Sequence, residues 1–180
     1  MNVRGRGLIV ATMLVLGASA GPASSQDVIR DEVEGIRNLA RIEATVACAG
    51  AITPESVTEI RRLGFASVIN LRLASEPGAN VDQEAAAAEA AGIRYFHVPY
   101  DGSADPAAAE QFLDAITAEG AEPAFVHCAG GNRAATMWLI KRIAIDGWDV
   151  ARATEEAVAL GQRSEDLRQF AVDFAQAYRE

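Results

Sequence analysis

The chain has 180 residues, half of them hydrophobic, which suffices for one domain with a real core. Its formal net charge of -9 argues against a basic nucleic-acid face and against binding to an acidic membrane surface. Two cysteines and two histidines at these spacings match no zinc pattern, and no dinucleotide fingerprint occurs, so no metal and no cofactor are expected.

Residues 1–25 read as a secretory signal peptide. Arg4 and Arg6 make a positive start, Leu8 to Leu16 a short apolar stretch, and cleavage is expected after Ala20 or Ser25. The apolar stretch is too short for a stable membrane anchor. This implies a secreted or periplasmic protein whose domain spans residues 27–180. In an oxidising compartment, Cys48 and Cys128 can pair, or one can be reactive and the other merely buried.

In chain order, residues 26–35 read as a polar lead-in with one loose helical turn. Residues 36–49 read as two short strands. Thr53-Pro54-Glu55-Ser56 opens a helix, with Thr53 as its cap and Gly64 as its stop. Residues 65–71 form a buried strand closed by Arg72, and 75–80 a polar loop. A second helix spans 81–91, capped near Asp82, and a strand spans 93–98. A loop over 99–105 leads to a helix from Asp105-Pro106 to Thr117. Another strand, 124–126, runs into His127 and Cys128. Helices follow from Arg133 to Ile145, from Asp149 to Leu160 and from Ser164 to Tyr178. Strands alternating with helices define an α/β domain with a mostly parallel central sheet flanked by helices.

The chemistry concentrates in Phe125-Val126-His127-Cys128-Ala129-Gly130-Gly131-Asn132-Arg133. A strand ending in a tight glycine turn before a helix makes its amides and the helix N-terminus converge, a natural anion site. A cysteine there is favoured as thiolate, and Arg133 offers a planar, permanent cation. Cys128 is the candidate nucleophile, Ala129, Gly130, Gly131 and Asn132 the anion-binding loop, and Arg133 the clamp. A buried, inert cysteine in an ordinary turn is the plainer alternative. Asp101, in a glycine loop with no helix to cap, is the candidate general acid; Asp105 is explained by capping. His127 reads as a backbone-bonded strand end or an accessory. Arg72 is a candidate second anion ligand and Cys48 a candidate resolving thiol.

His-Cys-Ala-Gly-Gly-Asn-Arg-Ala resembles the reactive loop of the bacterial phosphatase-like domain found in beta-lactamase hydrolase-like proteins. That group belongs to the dual-specificity, protein-tyrosine-phosphatase-like superfamily. Ile36-Arg37-Asn38-Leu39, Gly50, Thr53-Pro54-Glu55 and Val68-Ile69-Asn70-Leu71-Arg72 look like its landmarks, in order. Where the family often has Gly-Gln-Pro, this chain has Gly50-Ala51-Ile52. Conventional tyrosine phosphatases place five residues between cysteine and arginine; here there are four, a spacing that also resembles rhodanese sulfurtransferases. The resemblance implies a cysteine-dependent phosphatase-family hydrolase acting on a small anionic substrate or a phosphorylated protein. A sulfurtransferase or persulfide carrier on the same fold, and a non-catalytic anion-binding or thiol-redox module, are the alternatives.

Overall fold

Short apolar runs such as Ser67-Val68-Ile69-Asn70 and Ala124-Phe125-Val126-His127 become fully buried strands, because each is covered on both faces. The computed structural model describes residues 27–180; the signal-peptide expectation lies outside the described residues. The strands are β1 (Ile29–Val33), β2 (Ile36–Ile42), β3 (Val46–Ala49), β4 (Ser67–Asn70), β5 (Arg94–His97) and β6 (Ala124–His127). The helices are α1 (Val57–Arg62), α2 (Val81–Ala91), α3 (Pro106–Thr117), α4 (Asn132–Ala144), α5 (Val150–Ala159) and α6 (Glu165–Ala177).

One six-stranded sheet has the order β1-β2-β3-β6-β4-β5. The pairs β3–β6, β6–β4 and β4–β5 are parallel, whereas β1–β2 and β2–β3 are antiparallel. The expected mostly parallel sheet is therefore present, with an antiparallel hairpin added at one edge. Strand alternation sorts side chains into two cores. Val46, Cys48, Ile69 and Val126 face α3, α4, α5 and α6; Ala47, Ala49, Val68 and Phe125 face α1 and α2.

Three local expectations are corrected. The lead-in is not a helical turn: it is the edge strand β1, joined to β2 through Glu34-Gly35, with Val33 opposite Ile36. Arg30 and Glu32 occupy the exposed positions of an edge strand, where charge is tolerated, and half-buried Asp31 pairs with Arg41 at 2.7 Å. Thr53 makes no side-chain cap; Pro54–Ser56 is a 3-10 turn, and the Ser56 hydroxyl donates to Thr53 O at 2.7 Å before α1 begins. Asn80, in a left-handed conformation, stands at the N-cap of α2 instead of Asp82. The caps at Asp105, Asp149 and Ser164 are as expected, each side chain accepting a first-turn amide.

Among the described residues, no helix is long and apolar enough to cross a membrane. The helix bundle carries a buried polar node. Glu156 accepts from Trp138 Nε1 at 2.7 Å and from Arg142 Nε at 2.7 Å, while the Arg142 guanidinium is stacked between Trp138 and Trp148. The node ties α4 to α5 and keeps α4, which begins at the reactive loop, in place.

Candidate active site

Strand β6 lies between β3 and β4, so Cys128 emerges at the carboxyl end of the sheet's centre, where sites in open α/β folds collect. The sheet pairing continues beyond the strand. Cys128 N donates to Ala49 O at 3.2 Å, Ala51 N donates to Ala129 O at 3.2 Å, and Gly50 bridges Gly130. Asn38 Nδ2 donates to Gly130 O at 3.2 Å. These outward partners hold the carbonyls of Ala129 and Gly130. In a trans peptide the following N–H points the opposite way, so the amides of Gly130 and Gly131 turn inward. Gly131 N reaches Cys128 Sγ at 3.1 Å.

Two glycines have definite jobs here. Gly131 takes φ +97 at the N-cap of α4, a conformation that side chains resist. Gly50 lies so close to Arg37 O and Ala129 O that a Cβ would sit about 3 Å from each, so the strap tolerates no side chain. The family's Gly-Gln-Pro is thus matched here only at the position where backbone contact demands glycine.

Arg133 is held before any ligand arrives. Its Nη1 and Nη2 form a two-pronged pair with Glu76 at 2.7 and 3.0 Å; Nη1 also donates to Tyr100 O and, at 3.4 Å, to Leu71 O. Of the five guanidinium N–H groups, Nε–H and one Nη2–H have no oxygen acceptor among the described residues, and the Cys128 sulfur lies beside the guanidinium. These two lie on one edge, the geometry that grips an oxyanion with two parallel bonds. The Arg133 hydrogen bonds hold the Glu76 carboxyl down to about 2. The pair also shifts Arg133 further toward its charged form, as does the Cys128 sulfur beside it.

Asp101 shares a cleft of about 530 Å³ with Cys128, Arg133 and Glu76. Its loop rests on the clamp: a Cβ on Gly102 would meet Arg133 Cδ at 3.4 Å. The Asp101 carboxylate accepts from Ser103 N at 2.8 Å, and the hydrogen bonds from Ser103 keep its carboxyl below the usual range. Tyr100, buried beside it, donates to Ser103 O at 2.8 Å, and burial pushes its phenol up to about 12.

Three other candidates lie elsewhere. Arg72 is 4% exposed and spends its guanidinium on Glu76, Pro77 O and Gly78 O, so it braces the loop that presents Glu76 to Arg133. His127 is fully buried, with Nε2 3.1 Å from Glu84 Oε2, behind the loop and away from the cleft lining. Asn70 Nδ2 and Tyr95 Oη donate to the same Glu84 oxygen at 2.8 and 3.2 Å. Cys48 is fully buried and free, as Cys128 also is free; burial, then the Cys128 sulfur, pushes the Cys48 thiol up.

Sequence reasoning missed Arg163, Asn38 and Glu84. Glu84 had a signal: with Ala88 it forms the buried stripe of α2, an acidic residue where an apolar one is expected. Asn38 and Arg163 act on the loop across 92 and 33 residues, a separation that carries no local pattern.

A mostly parallel α/β sheet whose central strand runs into a cysteine, a glycine turn and an arginine in the first turn of the next helix is the arrangement of the class of cysteine-phosphatase-like domains. Within that class, the chain belongs to the phosphatase-like domain family of beta-lactamase hydrolase-like proteins, whose profile matches residues 38–145. It is 35% identical over 109 residues to a beta-lactamase hydrolase-like protein of Agrobacterium fabrum (strain C58), covering 59% of this chain and 25% of that one. The chain thus spans about a quarter of the length of the curated relatives it matches. In fold it is similar to P. aeruginosa TpbA, with a TM-score of 0.61 and 24% identity over 86% of this chain and 91% of that one. It is also similar to the core catalytic domain of the PP-IP phosphatase SIW14 from S. cerevisiae, with a TM-score of 0.59 and 17% identity over 82% and 88% of the two chains.

Proposed function

We propose that the domain is a cysteine-dependent phosphatase acting on phosphoesters. The observation that carries this reading is Arg133, fixed by Glu76 with one bidentate edge free, beside a sulfur that receives the Gly131 amide. Cys128 attacks phosphorus, forming a P–S bond as the P–O bond to the leaving oxygen breaks. The loop amides and Arg133 carry the charge of the transferring phosphoryl group. Asp101, on the cleft rim, donates the proton to the leaving oxygen. It then takes one from the water that breaks the P–S bond and releases phosphate. TpbA has been solved as a cysteine-to-serine variant in complex with pTyr, which recommends an aryl phosphate as the probe.

The experiment is hydrolysis of an aryl phosphate by the domain and by Cys128→Ser and Arg133→Ala. Turnover that vanishes with Cys128→Ser supports the reading. Absence of turnover on several phosphoesters at mildly acid pH contradicts it.

A second reading is sulfur transfer, favoured by the four-residue span between Cys128 and Arg133. A smaller ring of amides suits a single terminal sulfur better than a phosphoryl group with three oxygens. Here Cys128 attacks the sulfane sulfur of a donor such as thiosulfate, releases sulfite and keeps a persulfide. Intact mass after thiosulfate treatment tests it: one added sulfur on Cys128 supports it, and an unchanged mass rejects it. The leader-like residues 1–25 further support an exported protein, to be tested by the N-terminus of the protein recovered from a periplasmic or culture fraction.

A further inference from the structure

The rim of the Cys128 cleft holds a cation that the catalytic scheme does not use. Arg163 lies in the turn between α5 and α6, and its position is fixed by the anion loop itself. Asn132 Oδ1 accepts from Arg163 N at 2.7 Å and from Ser164 N at 3.3 Å. The side chain then extends over Gly130, its Nη2 3.5 Å from Gly130 O. Gly130 leaves the space: a Cβ there would come within 3.2 Å of Arg163 Nη2. Arg163 lines the same cleft as Cys128, Asp101 and Arg133, and also a neighbouring cleft beside β1.

Charge bookkeeping separates Arg163 from its neighbours. Arg133 is matched by Glu76, and Arg72 by Glu76 and two carbonyls. Arg163 has no carboxylate at ion-pair distance among the described residues. Its one side-chain contact is at the outer limit of a hydrogen bond, and Asn38 also serves that carbonyl, so little is lost when Arg163 turns to a ligand. An exposed, unmatched guanidinium anchored to an anion-binding loop, in a chain of net charge -9, is placed for a second anion.

We propose that Arg163 forms a second anion subsite beside Cys128, so that the preferred substrates are phosphoesters carrying a further phosphate or carboxylate group. This rests on the phosphatase reading and adds to it the substrate class. The reacting phosphoryl group occupies the loop and the free edge of Arg133, and the second anionic group meets Arg163 on the rim.

The test separates the two ideas by measuring binding without turnover. Cys128→Ser protein is titrated calorimetrically with orthophosphate, pyrophosphate and phosphoglycolate, with and without Arg163→Gln and Arg163→Lys. The expected result is that pyrophosphate and phosphoglycolate bind about tenfold more tightly than orthophosphate, and that Arg163→Gln removes most of this advantage while Arg163→Lys keeps part of it. In the Cys128 enzyme, Arg163→Gln lowers kcat/KM for a doubly anionic phosphoester more than for a simple aryl phosphate, mainly through KM. An advantage that survives Arg163→Gln overturns the subsite, as does an equal loss for all three ligands, which would place Arg163 on the reacting phosphoryl group. If the wild-type domain hydrolyses no phosphoester, the phosphatase reading fails on that result alone, whatever the binding data give.

Discussion

At the scale of single residues, the site is a matter of what each charged group has left to give. Glu76 occupies one edge of Arg133 and leaves the other, so it is a positioning residue for the clamp. Glu76→Gln keeps the shape but loses the charge-assisted pair; kcat/KM for an aryl phosphate is expected to fall by about 10- to 100-fold through misplacement of the guanidinium. Because its carboxyl is held down to about 2, Glu76 is ionised wherever the protein would be assayed. The linkage has a definite sign: a lowered carboxyl contributes stability that is complete above its usual value and lost as pH falls through about 2. Glu76→Gln therefore lowers the height of the pH–rate profile without moving its limbs, which steady-state assays from about pH 5 to 8 check.

Asp101 carries the opposite expectation. The Ser103 hydrogen bonds hold its carboxyl low, so its acid form declines as pH rises from the acid side. Turnover of a substrate with a poor leaving group is therefore expected to keep rising as pH falls across the assay range, and Asp101→Asn to flatten that rise while costing far less for a good leaving group. The two thiols differ as well. Cys48 is fully buried with its thiol pushed up and lines no part of the cleft, whereas Cys128, although only 1% exposed, lines it. Iodoacetate followed by peptide mass mapping is expected to modify Cys128 alone in the folded domain.

At the scale of elements, legibility in the sequence followed the range of the interactions. Helices α3, α5 and α6 announce themselves through Asp105, Asp149 and Ser164, whose side chains bond amides within the next three residues. The strands entering the reactive loop were legible as apolar runs. Strand β1 was not, because an edge strand need bury only alternate residues, and Arg30 and Glu32 mask the pattern. Cys128, the loop and Arg133 could be read locally, but the bond that Arg133 donates to Glu76 crosses 57 residues and needed the fold. Two stability predictions belong here. Asp105→Ala removes an N-cap accepting two amides and is expected to cost about 1 kcal/mol in urea unfolding. Glu156→Ala takes the shared acceptor from Trp138 Nε1 and Arg142 Nε, leaving Arg142 its pair with Asp146, and is expected to cost about 1–3 kcal/mol, loosening α4 against α5.

At the scale of the whole molecule, one sheet divides two cores, and its carboxyl end carries every part of the proposed chemistry. Cys128 follows the central strand β6, the Glu76 and Arg72 loop follows β4, and the Asp101 loop follows β5. The strap at Gly50 follows β3 and turns the loop amides inward. Arg163, which has no carboxylate at ion-pair distance among the described residues, lies at this end on the cleft that Cys128 also lines. The most direct measurement is to quench the domain in acid during turnover of an aryl phosphate and map the modified peptide by mass. A phosphoryl group on Cys128, absent from Cys128→Ser, is the predicted result. Turnover that persists in Cys128→Ser with no modified cysteine in the wild type would contradict the account.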